Sequence, residues 1–408
     1  MASTAPSDIS LRRQRRWLIA NLVAQLAFGL VAMTICLPSM QDWPVRFGAS
    51  QAAVQLTFSG FVAAYGGLQL LYGPLSDRLG RKPVLLFGLA LSCAGSVLAA
   101  LAPDLGQLTL ARVLQGAGSA AGMVVGRAMV QDLFEGPDRT RMMAFIGMAM
   151  GVCPPLATLV GGQVHVSFGW QANFVLLAVL AMGLLLSAWR GLPDRRPGGA
   201  AKPWSELYTG YARLAREPAF LLYVVLLSTT TATFYTFLSG APIVLGRYGV
   251  TPERIGWYIM AIPVAYIFGN ILTTRLIRRH ADRTIMLWGQ AGTLFGLGLL
   301  LAVGLAGWHT AFWLALPMVF LGVGHGLLAP PTLAGTVGLL PALAGSAAAV
   351  AGLMQQLTGA FGGFVVGVVP HKGHVNLALL MLAWAVAGLV AQVVLFRFVV
   401  PRSQPRPG

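Results

Sequence analysis

Gly73-Pro74-Leu75-Ser76-Asp77-Arg78-Leu79-Gly80-Arg81-Lys82-Pro83 is a short charged stretch set between two long apolar ones. Its two glycines, Gly73 and Gly80, let a turn lie close against a neighbouring helix. Asp77 can accept from a helix N-terminus or pair with a cation, and Arg81 and Lys82 can hold a carboxylate or a lipid phosphate. An ordinary basic turn would account for Arg78, Arg81 and Lys82. It would not account for Asp77 and both glycines together.

The flanking stretches are long enough to cross a bilayer, which takes about 20 mostly apolar residues. Twelve such stretches are expected: Trp17–Pro38, Gln51–Tyr72, Pro83–Ala102, Gln107–Met129, Met142–Gln163, Trp170–Trp189, Phe220–Leu245, Ile255–Leu276, Ile285–Gly304, Ala311–Thr332, Ala344–Val369 and Val375–Val399. Composition agrees. Of 408 residues, 56% are apolar and 10% charged, too few charges to cover a soluble domain of this size. Cys36, Cys93 and Cys153 have neither the number of a disulfide framework nor the spacing of a metal site, and no cofactor is expected. The first span follows a basic segment without a small-residue cleavage site and reads as a retained anchor.

The net charge of +16 would suggest nucleic acid on a soluble protein, but its distribution points to a membrane surface. Alternate connections carry the clusters Arg12–Arg16, Arg78–Lys82, Arg139–Arg141, Arg190–Arg216, Arg275–Arg283 and Arg397–Arg406. The others carry only Arg46, Arg247, Arg254 and Lys372. That bias places both termini in the cytoplasm, against an anionic leaflet. The polar stretch 190–218 holds several Pro and Gly and a candidate amphipathic helix from Trp204 to Arg216. It divides the chain into halves 1–189 and 219–408, six spans each. Two joined repeats of this kind suggest a carrier with its substrate near the midplane.

The stretch Gly73–Lys82 resembles the signature G-x-L-x-D-R-x-G-R-[RK] of the major facilitator superfamily, and it sits between spans two and three on the basic side, where that signature belongs. The resemblance implies an all-α membrane fold with two pseudo-symmetric six-helix halves. It also implies that Gly73, Asp77, Arg78, Gly80 and Arg81 latch the outward-open state, with Asp132 at the inner end of span four completing the charge network. Arg112-Val113-Leu114-Gln115-Gly116-Ala117-Gly118 is similar to the family's R-x-x-Q-G-x-G. An Arg inside the hydrocarbon region is functional by default, so Arg112 is expected to face the cavity, and the family implies a part for Arg112 and Gln115 in coupling or substrate binding. The competing reading is an Arg that snorkels to the interface. Gly147, Gly151, Pro154 and Pro155, then Gly161 and Gly162, form a degenerate version of the exporters' span-five motif. Small residues there permit close packing and the prolines permit a bend. Gly126–Phe134, Gly169–Phe174 and Ala344–Ala349 resemble the bicyclomycin/chloramphenicol-resistance branch of drug:proton antiporters.

One departure from that branch concerns span one, where Thr34 stands in the place of the usual acid. No Asp or Glu falls in the middle of any span. The mid-span group able to titrate is His325, which competes for that role with a purely structural reading. Asn21, Gln25, Gln55, Tyr65, Tyr235, Tyr258, Tyr266, Gln355 and Gln356 are the candidate cavity residues, a mixture suited to neutral or weakly charged amphipathic molecules. The expected protein is a monomeric inner-membrane exporter of small amphipathic compounds, drugs or an endogenous metabolite such as a siderophore, driven by protons and binding no nucleic acid. A nutrient uptake carrier and an uncoupled membrane sensor are the alternatives. No nucleophile–base pair or metal cluster suggests an enzyme.

Overall fold

The computed structural model describes residues 8–194 and 204–399. The chain runs as α1 (Asp8–Thr34), a 3₁₀ turn Pro38–Gln41, α2 (Trp43–Phe47), α3 (Gln51–Leu79), α4 (Arg81–Ala100), α5 (Leu105–Leu133), α6 (Gly136–Phe168), α7 (Trp170–Gly191) and α8 (Trp204–Leu214). It continues as α9 (Pro218–Arg247), α10 (Pro252–Ile259), α11 (Ala261–Leu276), α12 (Asp282–Leu305), α13 (Ala311–Gly338), α14 (Ala344–Val368) and α15 (Val375–Val394), closing on a π-helical turn Leu395–Val399. Among the described residues, 11 spans are long and apolar enough to cross a membrane. The fifth of the twelve expected spans lies within α6, a helix of 33 residues whose side chains are described only in part.

Local chemistry sets the ends. Ser50 and Asp104 cap α3 and α5 by accepting from Ala53 N and Gln107 N. The charged stretch between spans two and three is almost wholly helical. α3 continues to Leu79, α4 starts at Arg81, and Gly80 alone, with φ of 100°, makes the connection. That value is open to glycine and strained for any other residue. The expected span Ile255–Leu276 is broken between α10 and α11. Pro263 has no N–H to give the Ile259 carbonyl, and its ring crowds that carbonyl. By contrast Pro154 and Pro155 are carried inside a continuous α6.

The packing of the first six spanning helices reappears in the last six. α5 packs on α3, α4 and α1 as α13 packs on α11, α12 and α9, and α4·α7 has its counterpart in α12·α15. Glycines set the spacing in both. Side chains at Gly88 and Gly118 would overlap the facing helix of the α4–α5 pair, and those at Gly289 and Gly324 would crowd the α12–α13 pair. Two helix pairs join the repeats: α3 with α14, and α6 with α10 and α11. Leucines and phenylalanines such as Phe87, Phe268, Phe295 and Phe361 stay exposed on the outside of the bundle, as a lipid-facing surface requires.

Candidate functional site

The repeats meet at one face and part toward the other. The first is called here the Trp43 face and the second the Arg81 face. At the Trp43 face the turn Pro38–Gln41 touches both α9 and α10. Gln41 Nε2 donates to the Pro242 carbonyl at 2.5 Å. One turn deeper, Gln55 Nε2 donates to the Ser239 carbonyl at 3.3 Å, and Ser239 Oγ returns a bond to Gln55 Oε1 at 2.5 Å. Phe58 meets Tyr235 edge-on at 5.9 Å. Gly162 lies so close to Pro252 and Glu253, and Gly66 to Gln356, that a Cβ at either would overlap its neighbour. Gly151 would contact Ile267 at 3.3 Å. Beyond that level, among the described residues, no substantial interface joins α1 or α5 to α9 or α13. These four helices therefore line a crevice, shut at the Trp43 face and open toward the Arg81 face.

On the rim of the open face, Arg81 gathers the expected charge network. Its Nη1 donates to Asp77 Oδ1 and to Ser76 Oγ, the latter at 2.7 Å, and its Nε donates to Asp132 Oδ2 at 2.9 Å. Arg78 also has an interaction partner. The cluster joins α3, α4 and α5 within the first repeat. A Cβ at Gly73 would meet Val124 only at an ordinary 3.8 Å, so this position does not require the close approach expected of it.

Arg112 does not face the crevice, and it does not snorkel. It is 0% exposed. Its Nη1 donates to the Ala32 carbonyl at 2.7 Å and to Gln115 Oε1, and its Nη2 to the Met33 carbonyl at 3.3 Å. Its guanidinium lies 4.3 Å from the Phe61 ring centroid. Ala32 and Met33 belong to the last turn of α1, whose carbonyls carry the negative end of the helix dipole. The buried cation is thus compensated by a helix end rather than a carboxylate. Gln115 passes the bonding on to Ser96 Oγ at 2.7 Å.

Thr34, in the position of the missing acid, is a packing residue here. Its hydroxyl donates to Leu30 O at 2.9 Å and to Pro154 O at 3.2 Å, tying α1 to α6. Gly161 sits against the Ile35 carbonyl, where only hydrogen fits. Gly147 lies in α6 but outside the residues whose side chains are described. Asn21 and Gln25, expected in the cavity, instead bond Ser187 Oγ at 2.6 Å and Leu184 O at 3.1 Å inside the first repeat. Tyr235 donates to Gln356 Oε1 at 2.9 Å, and Thr231 to Gln355 Oε1 at 3.1 Å, both between α9 and α14. Tyr258 and Tyr266 are half-buried. His325 is 4% exposed. It stands between Gly324, which packs on α12, and Gly326, which packs on α11.

Gln41 and Ser239 escape a search for polar residues inside spans. Gln41 falls just beyond the expected span one, and a single serine in a helix carries little signal.

The sequence matches the Major Facilitator Superfamily over residues 17–363 and again over 229–407, and the chain belongs to that family. It is 30% identical over 375 residues to Multidrug resistance protein D of Escherichia coli strain K12, covering 91% of this chain and 94% of that one. It is 28% identical over 313 residues to a chloramphenicol resistance protein of Pseudomonas aeruginosa, with 75% and 74% covered. A bicyclomycin resistance protein homolog of Haemophilus influenzae is 24% identical over 335 residues, with 81% and 83% covered. These relatives fall in the branch that the sequence resembles. Among solved structures, a bacterial homolog of the human lysosomal transporter Spinster, in an inward-facing and unoccupied conformation, matches with a TM-score of 0.74 at 15% identity, covering 94% of this chain and 96% of that. A D-xylose-proton symporter matches with a TM-score of 0.72 at 16% identity, covering 96% and 98%. At such identities the structures establish the fold. The protein is a multi-span membrane transporter, not an enzyme.

Proposed function

We propose that this chain exports small amphipathic compounds across the inner membrane in exchange for protons, its halves 1–189 and 219–408 rocking about the crevice while 190–218 tethers them. The crevice carries this reading. It lies between two packing repeats, closed at one face by contacts that can part and open at the other. The relatives named for resistance to drugs, chloramphenicol and bicyclomycin support export as the direction. The basic clusters favour termini in the cytoplasm, which makes the open face the inner one. Nothing in the mechanism calls for more than one copy. In this reading the Asp77–Arg81–Asp132 cluster holds the Arg81 face when the halves close it, as the resemblance implies. His325 is the candidate proton carrier, since it is the mid-span group that titrates in a sequence without a mid-span carboxylate.

Efflux from energised cells tests the reading, with a chloramphenicol-like neutral drug, a lipophilic cation and a hydroxamate siderophore as cargo. Export that collapses with a proton uncoupler, and loses its pH dependence in His325→Gln, is the expected result. Uncoupler-insensitive export would refute proton exchange. Well-inserted protein that exports none of the three would refute the exporter reading.

A further inference from the structure

Two corners of the fold correspond. In the first repeat α3 turns into α4 at Gly80, and in the second α11 turns into α12 through 277–281. Both carry a run of cations: Arg78, Arg81 and Lys82 in one, Arg275, Arg278, Arg279 and Arg283 in the other. Their neutralisation differs. In the first corner Arg81 is held by Asp77 and by Asp132 of α5. In the second, α13 packs on α11 and α12 as α5 packs on α3 and α4, but it contains no acid. Asp282 is the last acid of the whole sequence. Arg275, Arg278 and Arg279 are exposed, and none pairs with a described carboxylate. Arg283 lays its guanidinium 5.2 Å from the Phe396 ring, which leaves its charge uncancelled.

A lipid-facing surface continues from the same corner. His280 meets Trp288 edge-on at 4.9 Å. Trp288 lies roughly 9 Å along α12 from its start. It is exposed, as is Phe295 two turns deeper, while Met286, Gly289 and Gln290 are buried in the bundle. α12 thus turns an aromatic stripe to the hydrocarbon next to the uncancelled arginines. A soluble anion would use the arginines alone. A phospholipid uses both parts. Its phosphodiester accepts from the guanidinium groups, its glycerol region meets the indole at the interface, and its chain runs along Phe295.

We propose that the α11–α12 corner binds one anionic phospholipid, its phosphodiester on Arg275, Arg278 and Arg279 and its chain against Trp288 and Phe295. The leaflet then supplies the counter-charge that Asp77 and Asp132 give the first repeat. A zwitterionic headgroup serves poorly, because its ammonium is repelled by the same arginines. Such a site is independent of the direction and coupling of transport.

The test is native mass spectrometry of the full chain, delipidated in detergent and given phosphatidylglycerol and phosphatidylethanolamine in equal amounts. Wild type should retain one phosphatidylglycerol in preference to phosphatidylethanolamine. Arg278→Gln combined with Arg279→Gln should lower that retention roughly tenfold. Trp288→Ala, which changes no charge, should lower it severalfold. Arg213→Gln combined with Arg216→Gln removes two exposed cations elsewhere and should leave retention unchanged. Equal loss in the two double variants would show diffuse attraction to a basic surface and overturn the site. So would wild type without a phosphatidylglycerol preference. Retention unchanged in Trp288→Ala, or displacement of the lipid by glycerol phosphate, would assign the corner to free anions and overturn the lipid.

Discussion

Arg81 and Arg112 show how two arginines of one repeat come to do different work. Arg81 pairs with Asp77 and Asp132 at the rim, where Asp77 is 47% exposed and solvent weakens the pair. Arg112 is sealed among α1, α3, α5 and α7, and the α1 carbonyls would be left unpaired without it. Arg112→Met should therefore lower stability by about 2–4 kcal/mol, whereas Asp77→Asn should cost less than ~1 kcal/mol but reduce export. Thermal unfolding of the purified variants, set beside efflux from cells, checks both. A stable Arg112→Met or a fully active Asp77→Asn would contradict the assignment. The Arg81 cluster is legible in the sequence because its residues are neighbours in a ten-residue stretch, with Asp132 placed by span counting. The Arg112 knot is not. Its partners are main-chain carbonyls about 80 residues away, and no side-chain pattern announces them. The same gap hides the true roles of Thr34, Asn21 and Gln25, polar residues that bond helix to helix rather than line the crevice.

At the scale of elements, hydropathy reads the spans and small residues read their spacing, but neither says which face meets which neighbour. α6 turns Gly161 to the end of α1 and Gly162 to α10, so adjacent glycines serve opposite sides of the repeat boundary. Gly162→Leu should hold the Trp43 face apart. Labels on cysteines introduced at Val45 and Arg254 would then sit farther apart than in the parent, and an unchanged distance would show that this contact does not limit closure. Within the second repeat, a different contact ties helix ends together. Tyr248, after α9, hydrogen-bonds His374 Nδ1 at 2.7 Å, and His309, before α13, meets both rings. Burial, and then the nearby His309, push His374 down to about 4. The unfolded chain takes up that proton near 6.5. Stability therefore falls as pH drops from about 6.5 to about 4, and levels off below. His374→Gln should reduce that fall in melting temperature, and an unaltered pH dependence would show that the loss arises elsewhere. The histidines are visible in the sequence as isolated loop residues, but their meeting depends on how three helix ends converge.

For the whole molecule, two repeats joined through α3·α14 and α6·α10–α11 leave four helices free to line a passage. Twelve spans, the basic bias and one charged stretch suffice to read that architecture, because each reflects bilayer physics or a local signature. The direction in which the crevice opens is not readable, since it is set by contacts between distant residues such as Gln41–Pro242 and Gln55–Ser239 that no local pattern announces. If the protein works by alternating access, these contacts break as the Arg81 face closes. The decisive measurement uses two label pairs in a chain with its native cysteines replaced: Val45 with Arg254 at the Trp43 face, and Leu79 with Arg279 at the Arg81 face. Distances are recorded with and without an exported compound and across a change of pH. Reciprocal shifts, one pair lengthening as the other shortens, are predicted. Transport-active protein in which both distances stay fixed, or move in the same sense, would contradict the account.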